Sequence, residues 1–117
     1  MDWTQKKCAP CEGGTPRMET DRAREAAKSL AGWELQGERL HRHFKFSNFR
    51  SVMQFVNAVA ELAEAEGHHP DLHLHDWNQL EITTWTHAIG GLSENDFILA
   101  AKIDALPAGT APGPGTH

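Results

Sequence analysis

The fold of this chain is decided by residues 68–87, which read HHPDLHLHDWNQLEITTWTH. Apolar and polar residues alternate in each half of this stretch, a pattern typical of half-buried strands. The three residues between the halves, 76–78, have a length that is common in β-hairpins. A hairpin centred on Trp77 pairs Leu72 with Ile82 and keeps the apolar residues of both strands on one face. We therefore predict an antiparallel pair of strands here.

Five of the eight histidines of the chain lie in this stretch, namely His68, His69, His73, His75 and His87. An imidazole titrates near neutral pH, so a cluster of them suits proton transfer or metal binding. The predicted register places His69 opposite Trp85, with His87 on the diagonal and His68 at the same end of the sheet. Diagonal neighbours lie about 7–8 Å apart, close enough for two imidazoles to contact one small molecule. No serine or cysteine nucleophile is evident in this stretch, so the cluster favours general acid–base catalysis, such as a dehydration.

We predict one α+β domain over residues 19–106. A flexible leader, residues 1–18, precedes it, and a disordered tail rich in proline and glycine, residues 107–117, follows it. The predicted element order is α-β-β-α-β-β-α. Strands that alternate in hydrophobicity cover one face of a sheet and leave the other face to solvent. We therefore expect a four-stranded antiparallel sheet with three helices on one face.

Polar residues mark the predicted starts of the helices. Thr20 is the expected N-cap of the first helix, and Ser47 or Asn48 that of the second. Ser93 and Asp96 stand three positions apart before an apolar run, close to a capping box that opens the third helix.

Two groups of side chains are assigned by their spacing. Phe49 and Met53 belong to an apolar stripe with helical period and are expected in the core. His41 and His43 alternate with apolar residues in the strand predicted at 40–46, and are expected to be solvated.

Composition excludes several classes of protein. The chain has 117 residues and a formal net charge of -5 at pH 7, without a lysine or arginine cluster, so a nucleic-acid partner is not expected. No apolar run approaches the roughly 18 residues that would cross a membrane. The N-terminus has no apolar signal-peptide core, so we expect a cytoplasmic protein.

Cys8 and Cys11 form a single Cys-x-x-Cys pair in the leader. A redox pair normally lies between a strand and a helix, and a zinc site would need two further ligands. We interpret the pair as part of a reduced leader without a function of its own.

A set of residues at fixed spacing carries a family resemblance. Glu64 precedes the His-His-Pro of residues 68–70, which Trp77, His87 and Asp96 follow at characteristic intervals. This pattern resembles the pterin-4a-carbinolamine dehydratase family over about residues 20–106. The resemblance implies dehydration of 4a-hydroxytetrahydropterin to quinonoid dihydropterin, with the pterin as substrate and no further cofactor. It also implies a homodimer or homotetramer, in which sheet edges would be protected.

The resemblance also implies site residues. The catalytic histidines of the family map onto His68, His69 and His87. We expect His69 and His87 to carry most proton transfer, and His68 to shape the pocket or bind the pterin. The candidate substrate-binding residues are Trp85, Asp71 and Asp96. Trp85 would be an aromatic wall, and Asp71 lies on the same strand face. For Asp96 the favoured role is helix capping, with a contact in the pocket as the alternative.

A metal site is the first alternative. His73 and His75 share a strand face, and with Glu81 they loosely resemble a cupin ligand set. The spacing to the glutamate departs from the cupin pattern, and three helices do not fit a jelly roll. We therefore predict no metal and interpret the two histidines as exposed strand residues.

A non-catalytic interaction protein is the second alternative. Members of the resembled family also act as dimerisation partners of a transcription factor, and relatives act as assembly factors in carbon fixation. Retention of all three motif histidines favours an enzyme.

Overall fold

One antiparallel sheet organises the computed structural model, which describes residues 3–8 and 17–106. The strands in this part of the chain are β1 (Glu34–Gln36), β2 (Arg39–Lys45), β3 (Asp71–His75) and β4 (Gln79–Thr84). Across the sheet their order is β1-β2-β4-β3. The helices of the same residues are α1 (Thr20–Lys28), α2 (Phe49–Glu66) and α3 (Glu94–Asp104). The predicted α+β class, the four-stranded antiparallel sheet and the element order are confirmed.

The hairpin has the predicted register. Leu72 pairs with Ile82, and Leu74 with Leu80, around a loop at residues 76–78. Because side chains alternate between the two faces of a strand, this register turns the apolar residues of β4 toward the helices. The alternating polar residues of the hairpin face the other way.

The core lies between the sheet and the helices. Leu40, Leu80 and Ile82 of the sheet have no exposed surface. Phe55 of α2 is 1% exposed and Phe97 of α3 is fully buried. Burial of such a side chain contributes about 1.5–3 kcal/mol relative to exposure, which holds the helices on this face.

The helix caps follow the predictions at two of the three starts. The Asn48 side chain accepts a backbone N–H bond of 2.8 Å at the start of α2. Ser93 and Asp96 form the predicted capping box of α3. At α1 the prediction is wrong by one residue: Glu19 occupies the N-cap position without a side-chain bond, and Thr20 is already helical.

Part of the segment expected as a leader, residues 1–18, packs on the domain. A 3₁₀ turn spans Trp3–Gln5, and the Trp3 ring lies 5.7 Å from the ring of Phe97, with 5% of the residue exposed. The backbone N–H of Cys8 donates to Glu66 Oε1 at 3.0 Å. Lys6 Nζ also donates to Glu94 Oε1 at 2.9 Å. Residues 3–8 are thus held by apolar burial and by charge-assisted hydrogen bonds.

Cys8 is buried, whereas Cys11 and the tail predicted at residues 107–117 lie outside the described residues. Within the described ranges, no helix combines the length and the hydropathy that a membrane span requires.

Two expectations about exposure are wrong. Phe49 is 53% and Met53 37% exposed, because the buried side of α2 is carried by other members of the stripe. His41 and His43 are half-buried in polar contacts on the sheet surface rather than solvated.

Candidate active site

An open cleft of about 320 Å³ lies where the chain leaves α2 and where it leaves β4. Its lining comes from two short segments and consists of Gly67, His68, His69, Trp85, His87 and Ala88. Three imidazoles and one indole therefore border a single space, as the sequence predicts. The other two predicted site residues, Asp71 and Asp96, do not line this cleft.

The backbone after α2 explains the position of two of the histidines. Gly67 ends the helix with φ of 67°, a left-handed conformation that favours glycine. Pro70 has no N–H for a ladder bond, and β3 begins at the next residue. His68 and His69 therefore lie between a helix and a strand, where their side chains reach the cleft.

A tight turn after β4 holds the third histidine. Thr86 donates its backbone N–H to the Gly91 carbonyl at 2.7 Å and bridges the two chain segments. Between them, His87–Ile89 forms a 3₁₀ turn that Gly90 ends with φ of 62°. The His87 side chain is exposed at the cleft.

His68 is the buried imidazole of the site. The residue is 5% exposed, and its Nε2 lies 2.6 Å from Oδ1 of the fully buried Asp96. An ionised carboxylate only accepts hydrogen bonds, so Nε2 carries a proton and donates. The carboxylate thereby sets both the tautomer and the orientation of the ring.

Asp96 accepts three further hydrogen bonds inside the protein. Its Oδ1 accepts from Thr84 Oγ1 at 2.7 Å. Its Oδ2 accepts from Thr86 Oγ1 at 2.9 Å and from the Ser93 N–H at 3.0 Å. The Asp96 carboxylate has no exposed surface and does not line the cleft, and its contact with a substrate stays a prediction. The structure gives Asp96 two roles, as the helix cap and as the support of His68.

His69 is the accessible imidazole at the other side of the His-His-Pro. Its side chain is 64% exposed, and Nε2 lies 2.5 Å from Oε2 of Glu64, which is itself 75% exposed. Exposed pairs of this kind contribute about 0–1 kcal/mol to stability. The pair orients the ring without removing it from solvent, so His69 remains available to a ligand.

Trp85 is the aromatic wall of the cleft and contacts three other side chains. The His87 ring stacks on it with a centroid separation of 4.0 Å and an angle of 25°. The Arg39 guanidinium carbon lies 4.3 Å from the indole centroid, a cation–π contact. Asp71 Oδ2 accepts from Trp85 Nε1 at 3.3 Å. Asp71 therefore holds the indole from outside the cleft.

Arg39 is the site residue that sequence reasoning missed. It belongs to β2, whose pairing with β4 places Leu40 beside Thr84 and thus Arg39 near Trp85. The pairing of two strands that are separated by a whole helix leaves no local signal. Alternation along β2 predicted a strand, but not its neighbour.

The site can supply both an acid and a base. Two exposed imidazoles and one buried imidazole border the same space, and a histidine side chain can serve as a general acid or a general base. A volume of about 320 Å³ is at the lower end of ligand pockets and fits a small molecule.

Relatives share most of the length of the chain. A Nitrosomonas europaea protein named for pterin-4-alpha-carbinolamine dehydratase is 50% identical over 107 residues, covering 90% of this chain and 93% of its own. The Arabidopsis thaliana mitochondrial pterin-4-alpha-carbinolamine dehydratase 2 is 48% identical over 110 residues. That match covers 90% of this chain, which spans only 59% of the plant protein.

Solved structures show the same fold. A transcriptional coactivator/pterin dehydratase from Brucella melitensis has a TM-score of 0.71 and 33% identity, with 77% of this chain and 97% of that chain covered. A pterin dehydratase-like protein described as a RuBisCO assembly factor in the alpha-carboxysome has a TM-score of 0.56 and 26% identity. That match covers 70% of this chain and 93% of the other chain. The family model for pterin 4 alpha carbinolamine dehydratase matches residues 16–106. With this match over nearly the whole described domain, the chain belongs to the pterin-4-alpha-carbinolamine dehydratase family.

Proposed function

We propose that this protein dehydrates 4a-hydroxytetrahydropterin to quinonoid dihydropterin. The observation that carries the proposal is the convergence of His68, His69 and His87 on one open cleft, in a chain of this dehydratase family. The reaction removes one proton from a ring nitrogen of the pterin and expels the 4a-hydroxyl, once protonated, as water. The pterin is the substrate, and the reaction needs no further cofactor.

Proton transfer is assigned to His69 and His87. Both side chains are exposed at the cleft, so each can reach a ligand and exchange protons with solvent. General acid–base steps of this kind contribute about 10²–10⁴-fold each. His68 is assigned to shaping the pocket, because its Nε2 is committed to Asp96.

Trp85 is proposed to bind the flat pterin ring. Its indole is half-buried and already stacks with His87 and Arg39, which occupy ring surface that a planar ligand would use. Substrate binding would therefore displace one of these two side chains from the indole. The proposed role of Asp71 is to keep the indole in place through its hydrogen bond.

Freshly generated 4a-carbinolamine tests the proposal directly. We expect the purified protein to accelerate dehydration over buffer, and His69→Ala or His87→Ala to lower kcat by about 10²-fold or more. His43→Ala, which removes an imidazole from the sheet surface outside the cleft, is the matched control. No acceleration over buffer would overturn the function. A greater loss in His68→Ala than in the other two variants would overturn the division of roles alone.

A non-catalytic assembly role is the second candidate. It is favoured by the likeness to the RuBisCO assembly factor, which shares the fold at 26% identity. The same assay discriminates the two, because a pure assembly factor leaves the rate of dehydration unchanged.

We further propose a cytoplasmic homodimer or homotetramer without a nucleic-acid or membrane partner. β1 and β3 are the edge strands of the sheet, and exposed edges favour pairing with another chain. Sedimentation velocity over a hundredfold concentration range tests the assembly. A monomer at every concentration would contradict it.

A further inference from the structure

The sheet surface opposite the helices carries a cluster of metal-ligating side chains that the proposed dehydratase does not use. His73 and His75 come from β3 and Glu81 from the facing β4. His73 pairs directly with Glu81 in the ladder, and His75 is two positions along on the same face. One ligand atom from each of the three residues lies within 4.8 Å of the others.

The distances between the ligand atoms suit a tetrahedral ion. Glu81 Oε2 lies 2.9 Å from His75 Nε2 and 3.8 Å from His73 Nδ1. Bonds of about 2.0–2.1 Å from zinc to nitrogen and oxygen place tetrahedral ligands about 3.3 Å apart. The two separations that involve Glu81 lie on either side of this value, and all three ligand atoms lie within 4.8 Å of one another.

Neighbouring side chains already orient two of the three ligands. Asp76 Oδ2 lies 2.9 Å from His75 Nδ1, which leaves His75 Nε2 directed at the cluster. A metal-binding imidazole commonly donates the N–H of its other ring nitrogen to a carboxylate in this way. The second oxygen of Glu81, Oε1, lies 2.9 Å from Nε2 of His41. His41 is in turn held by Gln36, whose Nε2 lies 3.2 Å from His41 Nδ1.

The cluster is open to an ion from solvent. The side chains of His73, His75 and Glu81 are 71%, 31% and 35% exposed. His75 and Glu81 also border a second cleft of about 240 Å³, which leaves room for water on the ion. Two imidazoles and one carboxylate with an open position are a ligand set that zinc and other divalent transition metals accept.

We propose that His73, His75 and Glu81 bind one divalent transition-metal ion of the zinc class, with water completing its coordination. This departs from the sequence-based prediction of no metal. The reason is that the structure adds the orienting contacts of Asp76 and His41, which the spacing of the ligands does not reveal. The site is separate from the histidine cleft, whose lining contains none of the three ligands.

Zinc titration of the full, untagged chain after treatment with a chelator tests the site. Calorimetry should give one Zn²⁺ per chain, and Glu81→Gln and His73→Ala should each weaken binding at least about tenfold. His69→Ala, which removes an imidazole from the cleft instead, should bind zinc as the unaltered chain does. Circular dichroism of every variant separates loss of the site from loss of the fold.

Cobalt substitution gives a second readout. Co²⁺ in the proposed site should show the visible d–d absorption of a four-coordinate ion, without the near-ultraviolet band of a thiolate ligand. A thiolate band would place the ion at a cysteine and overturn the proposal. Absence of stoichiometric zinc would overturn it as well, as would affinity that Glu81→Gln and His73→Ala leave unchanged.

Discussion

The His68 imidazole and the Asp96 carboxylate form a buried pair, with His68 Nε2 2.6 Å from Asp96 Oδ1. The same carboxylate accepts the Ser93 N–H in the capping box of α3. The Asp96 side chain therefore links the first turn of α3 to His68, which lines the cleft. A change at Asp96 should affect stability and catalysis together, and a change at a helix cap away from the cleft should affect only stability.

Asp96→Asn tests this coupling. The amide changes the hydrogen bonds offered to His68, so we expect kcat to fall about tenfold or more. The free energy of unfolding should fall by about 1–3 kcal/mol, because buried partners lose an acceptor. Steady-state kinetics and urea denaturation measure the two effects. Asn48→Ala, which removes the cap of α2 at the end away from the cleft, is the control: it should lower the free energy of unfolding by about 1 kcal/mol and leave kcat near that of the unaltered protein. An unchanged kcat in Asp96→Asn would show that catalysis does not depend on the pair of His68 and Asp96.

Trp85→Ala tests the aromatic wall. Loss of stacking worth about 0.5–1.5 kcal/mol should raise KM by about 2- to 10-fold, with a smaller effect on kcat. Asp71→Asn should produce a weaker change in the same direction, since it loosens the indole without removing it. Initial rates over a range of pterin concentrations separate KM from kcat. An unchanged KM in Trp85→Ala would contradict stacking.

Two phenylalanines of α2 offer a matched pair for stability. Phe55 is 1% exposed and packs against Phe44 with ring centroids 5.2 Å apart, whereas Phe49 is 53% exposed. Phe55→Ala should lower the free energy of unfolding by about 3–5 kcal/mol. Phe49→Ala should change it by no more than about 0.5 kcal/mol. Urea denaturation measures both. A cost at Phe49 that rises with protein concentration would instead place this side chain in an interface between subunits.

Acid should release the N-terminal segment. Burial opposes ionisation of Glu66, but the Cys8 N–H and Lys102 outweigh it and hold the pKa of this carboxyl below its ordinary value of 4.5. Hydrogen bonds from Lys6 and Arg22 likewise lower the pKa of Glu94. A carboxyl whose pKa is depressed by folding adds stability above its unfolded pKa, and loses it as pH falls through the folded pKa.

Hydrogen exchange of residues 3–8 at pH 7 and below pH 4 measures this release. Protection, corrected for the intrinsic effect of pH on exchange, should fall at the lower pH. In Glu66→Gln protection should already be reduced at pH 7 and should change less with pH, because one titrating anchor is absent. Equal pH dependence in the variant and in the unaltered protein would exclude Glu66 as the anchor.

The register of the hairpin formed by β3 and β4 was predictable from the sequence. Its two strands are adjacent in the chain, and a one-residue slip would turn Leu72 and Ile82 to the polar face. The caps at Asn48 and Ser93 were predictable for the same reason, since a cap bonds to its own first turn. The one cap that failed, at Thr20, makes no side-chain bond in the structure.

Contacts between distant segments were not predictable. Trp3 packs on Phe97 near the other end of the described chain, and nothing in the leader marks an indole for burial there. His41 is half-buried because β2 pairs with β4 and brings it to Glu81, a contact that alternation along β2 does not contain.

The sequence by itself determined the element order, the hairpin register and the identity of the histidines that border the cleft, because these depend on local periodicity and on spacing along the chain. Only the tertiary structure decided what surrounds each histidine. It placed Asp96 under His68, Arg39 beside Trp85, and Asp76 and His41 around the second histidine cluster. The physical reason is that hydrogen bonds and burial between segments arise from packing, and the packing of distant segments sets the surroundings of each imidazole.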